Sequence, residues 1–98
     1  MITAVFRPDG FSITGHSGYA RHGSDIVCAA VSSAAYMTAN TITDVFHSDA
    51  EASESDGEMN LVVKDGGENA LGILEGFRLH MEQLREQYPR FIKIISEV

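Results

Sequence analysis

Cysteine occurs once in these 98 residues, at Cys28. A single thiol excludes an intramolecular disulfide and a metal cluster built from cysteines. It suits a reducing compartment, so the protein is expected to be cytoplasmic. Basic residues are also few, 7 against 14 acidic ones, for a formal charge of −7. That balance weighs against nucleic-acid binding, which needs a basic patch to neutralise phosphates. It is compatible with a basic partner, because an acidic surface attracts cations. Long apolar runs are missing, so no membrane span is expected. The start, Met1-Ile2-Thr3-Ala4-Val5-Phe6-Arg7, lacks the basic-then-apolar order of a secretory signal, and no lipidation motif is visible. Internal repeats, linkers and low-complexity tracts are absent too.

What remains is an ordinary globular composition, 44% hydrophobic and 21% charged. The length suits a single domain over residues 1–98 with a modest core. A substrate cleft must then lie at the surface or at an oligomer interface.

The chain opens with a hairpin signal. Residues 2–8 and 11–15 alternate in character around Asp9-Gly10, a dipeptide suited to a two-residue turn. Such a turn sets Phe6 opposite Ile13 and Ala4 opposite Gly15. It puts Ile2, Ala4, Phe6, Phe11 and Ile13 on one face. Three glycines mark residues 15–24 as a loop. A helix follows from about Asp25 to Phe46, with a stripe of Val27, Val31, Ala34, Ile42 and Val45. Residues 49–55 read as a weak edge strand, Asp56-Gly57 as a second hairpin turn, and Met59 to Lys64 as its partner strand. A second helix spans about Asn69 to Tyr88, with Leu71, Leu74, Phe77, Met81, Leu84 and Tyr88 along one side. Pro89 stops it. Phe91 to Val98 carries large apolar residues on both faces, as a central strand would.

The order β-β-α-β-β-α-β predicts a two-layer α+β domain with both helices on one face of a mainly antiparallel sheet. The other sheet face would be left open. Self-association is expected to cover it, because large apolar surfaces on small proteins mark contacts.

The segment Gly15-His16-Ser17-Gly18-Tyr19-Ala20-Arg21-His22-Gly23-Ser24-Asp25-Ile26-Val27-Cys28 carries the chemistry. With Asp25 as N-cap, or a residue one position to either side, Cys28 falls in the first helical turn. There the helix dipole and unpaired amides favour a thiolate, as a cysteine nucleophile requires. Asp25, Cys28 and Ser32 share one helix face. Ser32 is placed to orient the thiol or a substrate group, and Asp25 to cap the helix or orient a histidine. Two histidines precede the cysteine. His16 ends a strand and His22 lies within the loop, so His16 is the better-held general base. That choice needs the strand to end or bend at Gly15. A bland reading stands beside this one: a lone cysteine among Val and Ala is commonly a small buried hydrophobe. An anion site is disfavoured, because no Gly-Lys-Ser/Thr ending comes after the glycines. His47 and His80 show no metal-ligand spacing. The acidic run from Asp44 to Glu58 reads as a solvated face.

Gly15-His16, an interval of eleven residues, and Asp25-Ile26-Val27-Cys28-Ala29-Ala30-Val31-Ser32 together resemble the bacterial ribosomal-processing cysteine protease family, Prp. The likeness extends over essentially the whole chain. Ser17 stands where a small residue such as alanine is expected. The resemblance implies that Cys28 and His16 are the catalytic pair and that the protein is a homodimer without metal or organic cofactor. It implies a substrate, the N-terminal extension of large-subunit ribosomal protein twenty-seven. Amides at the helix start, with one from the loop, would hold the oxyanion. The loop Ser17–Ser24, with Gly18 and Gly23 near its ends, is expected to open without substrate and close over the pair. Two other readings of the chain are a non-catalytic ribosome-associated binding module and a thiol redox sensor.

Overall fold

Alternation of apolar and polar residues builds the first two strands, β1 (Ile2–Arg7) and β2 (Gly10–Thr14). The computed structural model describes residues 1–16, 18, 25–65 and 67–97. The face expected for Ile2, Ala4, Phe6, Phe11 and Ile13 is the buried one. The register differs from expectation by two residues. Phe6 pairs with Phe11 and Ala4 with Ile13, so the turn residues are Pro8 and Asp9. Proline presets the backbone for an early turn position. Gly10 belongs to the strand for a different reason. A Cβ there would lie 1.9 Å from the carbonyl oxygen of Leu61, so close backbone approach, not turn geometry, demands the glycine.

Helix α1 (Ile26–Asn40) comes next, and a π-helical segment, Thr41–Val45, continues it. Three threonines account for the change of winding. The hydroxyls of Thr38, Thr41 and Thr43 donate to the carbonyls of Ala34, Met37 and Ala39 at 2.8, 2.6 and 3.0 Å. Such back-bonds compete with the amide ladder. The Phe46 N–H then reaches Thr41 O at 2.9 Å. The wider turn rotates the end of the helix, so Val45, expected in the apolar stripe, is 65% exposed. Val27, Val31 and Ile42 are buried as expected, with Ala35 in place of the half-buried Ala34. By length and composition the stretch Ile26–Val45 is apolar enough to cross a bilayer. Here its buried residues face the sheet.

Strands β3 (Asp49–Ser55) and β4 (Glu58–Asp65) form the second hairpin around Asp56-Gly57, where Gly57 has φ +73°. Helix α2 (Gly67–Gln87) starts two residues before the expected boundary and buries Ala70, Leu74, Phe77, Met81 and Leu84. Leu71 is displaced from the expected stripe by Ala70 and is exposed. The last strand is β5 (Ile92–Ser96).

Among the described residues the five strands form one mixed sheet in the order β3-β4-β2-β1-β5. Only the β1–β5 pair is parallel. β5 is therefore an edge strand rather than a central one. Its outer-face residue Ile95 stays 36% exposed, while Phe91 and Ile94 pack against the core.

Both helices cover the face bearing Ile2, Ala4, Phe6, Phe11, Ile13, Leu61 and Ile92. Phe77 of α2 meets Phe11 and Phe6 edge-on, with ring centroids 4.8 and 5.5 Å apart. Such pairs add about 0.5–1.5 kcal/mol each beyond their burial. The opposite face is not the apolar surface that was expected to drive association. Register sets Thr3, Arg7, Ser12, Asn60, Glu51, Lys93 and Glu97 on it, with Val5, Val62 and Ile95 as apolar members. Arg7 donates to Ser12 Oγ at 2.9 Å, and Lys64 pairs with Glu51 at 2.7 Å.

Candidate active site

The site begins where β2 stops. Gly15 takes φ +90°, a conformation that releases the chain from strand alternation. A Cβ there would sit 2.4 Å from Met1 O. The Gly15 N–H donates to Gly57 O at 2.8 Å, so the strand end is pinned to the β3–β4 turn. His16 lies just past this bend and is exposed to solvent.

The other half is the start of α1. Asp25 is extended (φ −84°, ψ 101°), and its Oδ1 accepts from the N–H groups of Val27 and Cys28, both at 3.0 Å. No other acidic residue lies in the first turn. Cys28 is half-buried in that turn, and Ser32 is exposed one turn further on. The cap changes one expectation. The amides of Val27 and Cys28 bond the Asp25 carboxylate, and the Ala29 amide bonds Asp25 O at 3.0 Å. These three helix-start donors are engaged and do not form a ready oxyanion site.

His16, Cys28, Asp25, Ser32 and Gly15 line one surface groove of about 640 Å³. Its floor is apolar, from Ile2, Ile13, Val31 and Met59. The wall facing α1 is the β3–β4 turn, Ser55 to Glu58, which the sequence did not place beside the cysteine. Its turn signal was legible. Its position was not, because the contact joins segments far apart in the chain. Tyr36 lines the groove farther along α1, and its hydroxyl donates to Glu54 Oε2 on β3. That bond, with some desolvation and the nearby negative charge, raises the Tyr36 pKa above the usual phenol value. Ser17, Tyr19, Ala20, Arg21, His22, Gly23 and Ser24 lie outside the described residues. The alternative base His22 and the loop-closure expectation fall there. Among the described residues, no group of three or more His, Cys, Asp or Glu side chains could hold a metal.

A thiol and an imidazole lining one open groove, with room for extended chain over an apolar floor, are equipped for nucleophilic acyl transfer. The S. aureus ribosomal processing protease Prp, solved with a covalently linked product peptide, superposes with a TM-score of 0.92 at 22% identity, covering 99% of this chain and 100% of that one. The same protease with a substrate peptide gives 0.87 at 21% identity, over 99% and 100%. The protein SMU.848 of Streptococcus mutans gives 0.75 at 28% identity, over 99% and 96%. No curated protein matches. The family described as cysteine protease Prp matches residues 1–93. With that match spanning nearly the whole chain and a fold shared end to end, this protein belongs to the Prp family of cysteine proteases.

Proposed function

We propose that this protease removes the N-terminal extension of large-subunit ribosomal protein twenty-seven, with Cys28 as nucleophile and His16 as general base and acid. The observation that carries this reading is the shared groove. Cys28 in the first turn of α1 and His16 just beyond β2 line the same surface. The substrate class rests on the S. aureus relative, whose structures contain a substrate peptide and a covalently linked product peptide.

The steps rest on the chemistry of the pair. His16 takes the thiol proton of Cys28, and the sulfur attacks the scissile carbonyl carbon. As the C–N bond breaks, His16 returns the proton to the leaving amine. The extension is then a thioester on Cys28. Water, deprotonated by His16, attacks that carbonyl, the C–S bond breaks, the extension leaves as a carboxylic acid, and His16 returns the proton to the Cys28 sulfur. Developing oxyanion charge needs donors other than the capped amides of Val27, Cys28 and Ala29. We assign those donors to the chain between His16 and Asp25, most of which lies outside the described residues.

We further read the protein as a cytoplasmic homodimer that binds neither nucleic acid nor membrane. The polar open face of the sheet does not support an interface there. Exposed Tyr36 and Met37 on α1, Val45 on the π-helical segment and Phe46 at its C-cap give the better surface. Met37→Asp should then lower the solution mass from twice 10.7 kDa to 10.7 kDa in light scattering. A wild-type monomer at micromolar concentration would contradict the dimer.

The function itself is tested with the organism's own ribosomal protein twenty-seven precursor. Incubation with the enzyme should give one cut at the junction of extension and mature protein, read by mass spectrometry. An intact precursor after prolonged incubation would overturn the substrate assignment.

A further inference from the structure

Gly57 sits at the tip of the β3–β4 hairpin with φ +73°. A Cβ built on it would lie 3.1 Å from His16 Nε2 and 3.7 Å from both Cδ2 and Cε1. The imidazole thus rests its Nε2 end against the bare Cα of Gly57. The same residue holds His16 a second way, because Gly57 O accepts the N–H of Gly15, the preceding residue, at 2.8 Å. One turn residue therefore sets both the backbone entry to His16 and the space its ring occupies.

The contact is not a general consequence of left-handed backbone. Gly67 has φ +61° and Gly18 φ +74°, yet a Cβ on either meets no described residue within 4 Å. The platform is also held firmly in place. β4 pairs with β2 through Thr14↔Glu58 and Ile13↔Met59, so the turn is locked in register with β2, which ends at Thr14, two residues before His16.

We propose that Gly57 is the positioning residue of the general base: its missing side chain fixes where the His16 imidazole stands relative to Cys28. This rests on the reading of His16 as base. A Cβ at 3.1 Å obliges the ring to move by a few tenths of an ångström. Displacements of about 1 Å in a reacting geometry cost on the order of a hundredfold in rate, so a shift of this size should cost about three- to tenfold.

Three variants separate contact from strain. Gly57→Ala adds the Cβ and also strains the left-handed backbone. Gly57→Asn adds the same Cβ with a residue that tolerates that backbone. Gly67→Ala adds comparable strain in open space, away from the groove. The readouts are kcat and KM on a peptide spanning the ribosomal protein twenty-seven junction, the rate of Cys28 alkylation by iodoacetamide at about pH 7, and the melting temperature. Gly57→Ala and Gly57→Asn should lose about three- to tenfold in kcat with KM within about twofold, and alkylation should slow. Gly67→Ala should lose melting temperature and keep wild-type kcat. Wild-type kcat in a folded Gly57→Asn, or a rise in KM alone, would overturn the proposal and leave Gly57 as groove wall only. His16→Ala tells this failure from a wider one. Full activity without the imidazole would overturn the dyad reading and the positioning role together.

Discussion

Removing the Asp25 carboxylate should loosen both the fold and the helical turn that carries Cys28, the nucleophile we propose. Its Oδ1 accepts two N–H bonds at 3.0 Å, one of them from Cys28 itself. Asp25→Ala leaves both amides without that acceptor, and the first turn holds no other acidic residue to replace it. Asp25 is only half-buried in an open groove, so water can reach the freed amides. The full penalty for burying two unpaired donors therefore does not apply. An N-cap lost to alanine costs about 0.5–2 kcal/mol, and the double bond places this site near the upper half, about 1.5 kcal/mol. In a domain of this size each kcal/mol moves the melting temperature by roughly 4–8 °C, so a fall of about 6–12 °C is expected by calorimetry. Asp25→Asn keeps the acceptor and should recover most of it, short of the charge–dipole contribution of about 0.3–1 kcal/mol. Peptide cleavage by Asp25→Ala, measured well below its melting temperature, should fall as well, because the first turn carries Cys28. An alanine variant with unchanged melting temperature would refute the capping argument. A destabilised variant with an unchanged rate would refute the link from cap to nucleophile.

Gly10→Ala should be poorly tolerated although Gly10 has no left-handed backbone, because its Cβ would meet Leu61 O at 1.9 Å; a melting temperature equal to wild type would refute the close β2–β4 approach. Phe77→Ala removes a buried ring that touches Phe6 and Phe11 and should cost about 3–5 kcal/mol in urea unfolding. A loss under about 1 kcal/mol would mean that the core closes around the gap. The Tyr36 phenol, raised chiefly by its bond to Glu54, should titrate above the ordinary tyrosine range in an absorbance scan. The raised value means that folding favours the protonated phenol. That contribution is complete at neutral pH and disappears as pH climbs through the folded-state pKa. Glu54→Ala, which removes the acceptor and the charge together, should bring the titration back toward the ordinary value, and no change would exclude Glu54 as the cause.

Much of the fold was legible because its signals are local. Alternation in residues 2–8 and 11–15 placed the buried face of β1 and β2, and Asp56-Gly57 placed the second hairpin turn. Asp25 was legible as a cap from its place before the apolar period of α1. The features that escaped depend on partners distant in the chain or on polar side chains. Asp9-Gly10 looked like a turn, yet Gly10 answers to Leu61 on β4, so the register was misread by two residues. The π-helical segment turned Val45 outward through hydroxyl back-bonds that no apolar period displays. β5 looked central because both its faces are apolar, whereas Phe91 and Ile94 serve the core and Ile95 remains at an edge. The Gly-His and Asp-Ile-Val-Cys segments pointed to one half of the groove. The facing wall, Ser55 to Glu58, and the contact of Gly57 with His16 arise only when the second hairpin folds beside β2.

The central claim is that Cys28 attacks the scissile bond and His16 moves the proton. The most direct measurement is intact mass spectrometry of enzyme mixed with ribosomal protein twenty-seven precursor and quenched in acid within the first turnover. An enzyme species heavier by the N-terminal extension, held as its acyl group, is expected, with the adduct mapping to the peptide that contains Cys28. Cys28→Ser should give neither adduct nor mature product, and His16→Ala should slow adduct formation far more than His22→Ala does. Mature product from Cys28→Ser, or an adduct formed at the wild-type rate without His16, would contradict it.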